Sequence, residues 1–157
     1  MSAPDPAAWK PGRPLRPIDF SALAMTAISS PEDTSIDWAA AFVCYGGDGA
    51  ESTVVVPFWI AVGGHLGWHT DSLEETQYVI AGTGEFECDD FSTPVCPGSM
   101  FVVPKDVRHD LRNTGTVPLL AVAFFSGPSV VQTFENTMRP TGSRILASPN
   151  ATAEPSR

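Results

Sequence analysis

A chain of 157 residues is long enough for one domain with a real core and too short for two of ordinary size. With 43% hydrophobic and only 17% charged residues it has the balance of a globular protein, which excludes a disordered or fibrous class. A formal charge of −9 argues against nucleic acid or an anionic membrane as partner, and no apolar run approaches the roughly 18 residues of a membrane span.

Fifteen prolines and thirteen glycines separate short apolar runs, a pattern that favours an all-β barrel or sandwich. Residues 1–17 alternate proline with small and basic residues and are expected to form a flexible arm. They lack the apolar core of a secretory leader, so a cytoplasmic chain is expected. Residues 31–34 read as a loop or a short helix start, with Glu32 and Asp33 suited to a first turn. Residues 38–45 alternate weakly and predict an early strand, available to pair with a second subunit.

Residues 53–62 are β-branched and aromatic, with Pro57 marking a bulge or an edge. Residues 77–80 and 84–88 bracket the turn Ala81-Gly82-Thr83, whose glycine supplies a positive φ. Cys88 and Cys96 flank a hairpin-like loop over residues 89–95. With Cys44 they make an odd count without CxxC spacing, which suits reduced thiols. Residues 99–103 predict a strand leading into the turn Pro104-Lys105-Asp106-Val107, where Asp106 tolerates a left-handed conformation better than most residues. Residues 119–125 and 130–134 predict the closing strands. Residues 139–157 are small and polar and are expected to be a flexible tail, leaving 18–138 as the folded domain.

Chemistry concentrates in two spaced patterns. The first is Gly63, five residues, His69, one, Asp71, three, Glu75, six, Gly82; the second is Gly98, five residues, Pro104, one, Asp106, two, His109, three, Asn113. Side chains alternate along a strand, so His65, His69 and Asp71 would face one side of a continuous one, and Glu75 and Gln77 share a parity with each other. His69, Asp71, Glu75 and His109 are four potential metal ligands, with His109 to be brought in by the fold. Neutral imidazole with carboxylate suits Fe(II), Mn, Zn or Ni rather than Ca, and lacks the thiolates of a structural zinc site. Glu75 and His65 are the expected proton carriers.

These patterns resemble the paired motifs of the cupin superfamily, G-x5-H-x-H-x3/4-E-x6-G and G-x5-P-x-G-x2-H-x3-N. Eight of the ten defined positions match; Asp71 stands for the second histidine and Asp106 for a glycine. The resemblance covers residues 53–134 and implies a small single-domain bacterial cupin: a double-stranded β-helix, or jelly-roll barrel, with a divalent transition metal inside. It also implies a homodimer formed through N-terminal strands. Asp71 beside two histidines gives the facial set of non-haem Fe(II) oxygenases, so a dioxygenase with Fe(II) is expected ahead of a redox-neutral cyclase, isomerase or lyase, and ahead of a non-catalytic binding module.

A small barrel holds its ligand among inward-facing residues. Expected pocket residues are Gln77, Trp68, Tyr78, Phe101, one of Phe58 and Trp59, and one of Phe124 and Phe125; Trp59 and Phe124 are the choices within those pairs, which parity alone does not decide. Few basic residues lie near the motifs, so a neutral or aromatic small molecule is the expected substrate.

Overall fold

Alternation of burial, interrupted only at Pro57 and Val122, decides the architecture. Along Val54–Ile60 the buried positions Val54, Val56, Phe58 and Ile60 share one face, and along Leu119–Phe125 so do Leu119, Ala121, Ala123 and Phe125. Such strands need a second sheet to cover that face. In the computed structural model, which describes residues 17–151, two six-stranded antiparallel sheets meet over one apolar core.

In chain order the strands are β1 Thr26–Ser29, β2 Asp37–Ala40, β3 Val54–Ile60, β4 His69–Asp71, β5 Glu75–Ala81 and β6 Gly84–Cys88. They continue with β7 Phe91–Val95, β8 Met100–Val103, β9 His109–Asn113, β10 Leu119–Phe125, β11 Val131–Met138 and β12 Ser143–Ala147. One sheet runs β1-β2-β3-β10-β5-β8 and the other β12-β11-β4-β9-β6-β7. From β3 to β11 every consecutive pair except β6–β7 crosses between sheets, so motif residues far apart in sequence converge between the two layers. This is the double-stranded β-helix expected from the sequence. No helix among the described residues is long and apolar enough to cross a membrane.

Turn chemistry holds the crossings. Gly82 has φ +79, and a Cβ there would lie 2.6 Å from the Pro118 carbonyl oxygen, so both backbone and space require glycine. Asp106 adopts φ 63, the left-handed conformation expected of it. Cys44, Cys88 and Cys96 are free thiols.

Several expectations are corrected. Of the two alternatives for residues 31–34 the loop is the one adopted, as bends and turns without a helix. Only residues 37–40 of the early segment form a strand, and β2 is paired on both sides within the chain, by β1 and β3. Pro57 lies neither at a bulge nor on an edge strand. Its carbonyl accepts from Ala41 N–H at 3.2 Å, so its ring nitrogen faces the point where β2 leaves the ladder and no donor is missed. The stretch after Cys88 is not a loop: Phe91–Val95 is β7, an edge strand, where Pro94 costs no ladder bond. The tail expected to be flexible instead carries β12, which pairs with β11 and buries Leu146. The rest of that tail, residues 152–157, and the arm, residues 1–16, lie outside the described residues.

Candidate metal centre

β4 and β9 are neighbours, and His69 stands directly opposite His109 in their register. Their ring centroids are 4.2 Å apart. Asp71 lies two residues along β4 from His69 and so shares its inward face. The ligating atoms of His69, Asp71 and His109 all lie within 4.8 Å of one another, and all three residues are buried. Glu75 reaches the same point from the opposite sheet, its Oε2 3.3 Å from His109 Nε2, while standing outside that group of three.

Each histidine is oriented by its own backbone. His69 Nδ1 donates to the Gly67 carbonyl at 2.7 Å and His109 Nδ1 to the Val107 carbonyl at 2.8 Å. A carbonyl can only accept, so Nδ1 of each ring carries a proton and Nε2 is the nitrogen turned toward the centre, free to ligate once it holds none. The carboxylates are braced likewise. Gln132, opposite Asp71 in β11, donates Nε2 to Asp71 Oδ1 at 3.1 Å; Gln77 donates Nε2 to Glu75 Oε1 at 2.9 Å. Phe134 stacks on the His69 ring at 4.6 Å and 19°.

Bracing one oxygen of each carboxylate leaves the other without a partner. Asp71 Oδ2, Glu75 Oε2 and His109 Nε2 are all buried and make no hydrogen bond among the described residues. Asp71 Oδ2 lies 3.3 Å from His109 Nε2 and 3.9 Å from His69 Nε2. Electrostatics ask for the same occupant. Burial drives the His69 pKa down to about 3. Burial also opposes charge on His109, but the Glu75 and Asp71 carboxylates outweigh it and push that ring up to about 9. Asp71 rises to about 8 because it is buried and faces the charge of Glu75. Positive charge is wanted among these groups, and a divalent cation supplies it better than shared protons do. The donor set fits a transition metal, with His69, Asp71 and His109 as its holders and Glu75 at its side.

His65 does not join them. Gly67, at φ +96, breaks the alternation that would align His65 with His69. Leu66 points to the core instead. The His65 ring is clamped between Asp110, Nδ1 to Oδ2 2.6 Å, and Asp33, Nε2 to Oδ2 2.9 Å. Asp110 follows His109 in β9 and faces away from the metal centre. Its Oδ1 also accepts from the Gly67 and Leu111 amides at 3.0 and 2.8 Å, which fixes the start of β4. His65 is therefore a brace and not a proton carrier at the centre.

Of the expected pocket residues, Gln77 and Phe101 face inward, directly opposite each other in β5 and β8. Phe101 packs on Phe86 at 4.7 Å, and Phe86 in turn packs on the His109 ring at 5.9 Å. Trp59, Tyr78 and Phe124 lie on the outer face of their sheet, and Phe58 and Phe125 take the inner positions. Trp68 also faces out, beneath the Arg108 guanidinium at 3.9 Å. Asn113 braces the turn, donating to the Ile60 and Val117 carbonyls. Sequence reasoning missed Gln132, Phe134, the indole of Trp38 and Asp110; the first three lie outside the motifs, and Asp110 is one of the unspecified residues between His109 and Asn113.

Residues 58–125 match the family model described as "Cupin domain". That stretch is a cupin domain. Among curated proteins this cupin-domain protein is 47% identical over 55 residues to Protein SchB of Streptomyces halstedii; the match takes in 35% of the chain and 39% of SchB. The polyketide cyclase RemF from Streptomyces resistomycificus shares its fold, with a TM-score of 0.62 at 16% identity over 71% of this chain and 79% of RemF. So does a protein from Thermotoga maritima described as a predicted oxalate decarboxylase, with a TM-score of 0.61 at 17% identity over 71% of this chain and 99% of the other.

Proposed function

We propose that this cupin-domain protein is a metal-dependent, redox-neutral enzyme that cyclises or isomerises a small, neutral, carbonyl-bearing aromatic molecule. The observation that carries the reading is the position of Glu75. Its carboxylate reaches the centre, 3.3 Å from His109 Nε2, from the sheet opposite the three mutually close ligands, and Gln77 fixes one of its oxygens. A base that is positioned beside the ion and not needed to hold it can take a proton from carbon next to a carbonyl and return it elsewhere. A divalent ion held by His69, Asp71 and His109 supplies Lewis acidity to the substrate's oxygen.

The surrounding residues exclude other charge. Trp38, Val56, Phe58, Leu66, Phe125 and Phe134 line the space beside His69 and Glu75, with no lysine or arginine among the lining residues. A neutral molecule suits such walls, and an anionic sugar phosphate does not. The shared fold with a polyketide cyclase supports the same choice of substrate class.

A second reading has its own observation. His69, Asp71 and His109 alone form a two-histidine, one-carboxylate set, which favours the Fe(II) dioxygenase expected from the sequence. Metal analysis of protein purified without chelator decides between them when joined to turnover of aromatic diketones and phenols, followed by product mass and an oxygen electrode. Products of unchanged mass, or lighter by water, without oxygen uptake support the redox-neutral enzyme. Oxygen uptake with a matching mass gain supports the dioxygenase. A chain that retains no metal overturns both.

A further inference from the structure

Two cavities open beside the core, at opposite ends of the strand order. One, of about 380 Å³, lies between the edges β7 and β8. The other, of about 220 Å³, lies between β1–β2 and β11–β12. Both reach toward the metal centre: Phe86 of the first packs on the His109 ring at 5.9 Å, whereas Trp38, Val56 and Gln132 line both the second and the small space beside His69 and Glu75. Gln132 touches Asp71 directly, so one side chain links the cavity wall to a ligand.

Trp38 carries the chemistry. It is 4% exposed and its indole Nε1 has no hydrogen-bond partner among the described residues. A buried donor left unmade is destabilising until something accepts from it, and a Trp N–H can only donate. The ring is nearly parallel to Phe134, at 28°, and Phe134 is nearly parallel to His69, at 19°. Parallel faces running from the cavity to the ligand shape a slot for a planar ring. No charged residue lines the cavity.

Resting on the enzyme reading above, we propose that this cavity seats the substrate, a neutral planar aromatic of one or two rings, and that the Trp38 indole N–H donates to one of its oxygens. Every residue lining the cavity lies outside the 58–125 stretch that defines the family domain. The cavity is thus built from this chain's own flanking strands, while the metal ligands come from the shared core. Substrate choice is set by the former.

The test is calorimetric binding of 2-naphthol and naphthalene to zinc-reconstituted protein, with bound zinc measured in each variant. Trp38→Phe keeps the stacked ring and removes the N–H. It should weaken 2-naphthol about tenfold, the loss of one hydrogen bond, and leave naphthalene unchanged. Thr26→Trp, at the exposed rim on β1, should abolish binding of both without disturbing the core, and Thr93→Trp in the β7–β8 cavity should change neither. Equal 2-naphthol affinity in Trp38→Phe and wild type, binding lost in Thr93→Trp, or no binding by wild type overturns the proposal. Zinc content separates the two readings: Trp38-dependent binding without retained zinc upholds the cavity and sinks the metal enzyme. Retained zinc without Trp38 dependence does the reverse.

Discussion

His69 and His109 face each other across neighbouring antiparallel strands with ring centroids 4.2 Å apart, each turned by a hydrogen bond from Nδ1 to the carbonyl two residues before it. Direct cross-strand opposition is the closest approach a sheet offers two side chains. The backbone thus sets both the spacing of the two donors and their tautomers. Asp71 shares the face by alternation, so three ligands follow from one register.

That register makes Asp71 a ligand and not merely a turn former. Asp71→Ala should lower metal affinity by about 100-fold or more, whereas Gln132→Leu, which only frees Asp71 to rotate, should cost about 10- to 100-fold. Metal titration of the apo variants checks both. Stoichiometric, tight binding by Asp71→Ala would show that the other donors suffice.

Glu75 should behave differently. If it moves protons and does not hold the ion, Glu75→Gln keeps metal affinity within about tenfold and lowers kcat by about 100- to 10,000-fold. Metal content and single-turnover rates, measured on one preparation, separate the two effects. A loss of metal as large as that of Asp71→Ala would make Glu75 a fourth ligand.

The motif spacings carried this much of the site because alternation and register are local properties of strands. The positions of His69, Asp71, Glu75 and Gln77 followed from period two, and His109 from a second motif of fixed length. His65 defeated the same rule because Gly67 at φ +96 resets the alternation, and nothing in the residue types around Gly67 announces the reversal. The choice of Trp59 over Phe58 and Phe124 over Phe125 failed for a related reason. A face is assigned by which neighbour covers it, and two adjacent aromatics in one strand leave open which of them is covered. Gln132 and Trp38 sit on strands whose place beside the centre is set by sheet order, which no local pattern encodes. β7 and β12 were read as loop and tail because Pro94 and a polar composition suit an edge strand as well as a coil.

The outer face of the β3-β10-β5-β8 layer bears on assembly. Phe124 is 45% exposed, Met100 67% and Val102 56%; by register Met100 adjoins Tyr78 and Val102 adjoins Thr76, which lies beside Phe124. A contiguous apolar sheet face of this kind marks an interaction surface. We propose a homodimer that buries it, in place of one made through β2, which is already paired on both sides. Sedimentation should give a dimer that Met100→Glu with Phe124→Glu converts to folded monomer. A wild-type monomer at micromolar concentration would end the proposal.

The His65 brace predicts a pH dependence of stability separate from the metal. Burial opposes charge on this ring, but Asp110 and then Asp33 outweigh it and raise its pKa above the ordinary 6.5. Asp33 is held down at about 2, by the Ser35 hydroxyl and amide first and by His65 last, so it stays ionised through mildly acid pH. A raised histidine binds its proton more tightly folded than unfolded. Its contribution is complete below about pH 6.5 and fades as pH climbs through the folded value. His65→Gln keeps a polar group against Asp110 but no charge, and should cost about 2–3 kcal/mol near pH 6, with the gap narrowing toward pH 9. Denaturant unfolding of chelated wild type and variant at each pH measures that gap. A gap that is constant or widens with rising pH would show that the ring is neutral in the folded protein, and that its hydrogen bonds and not its charge hold the start of β4.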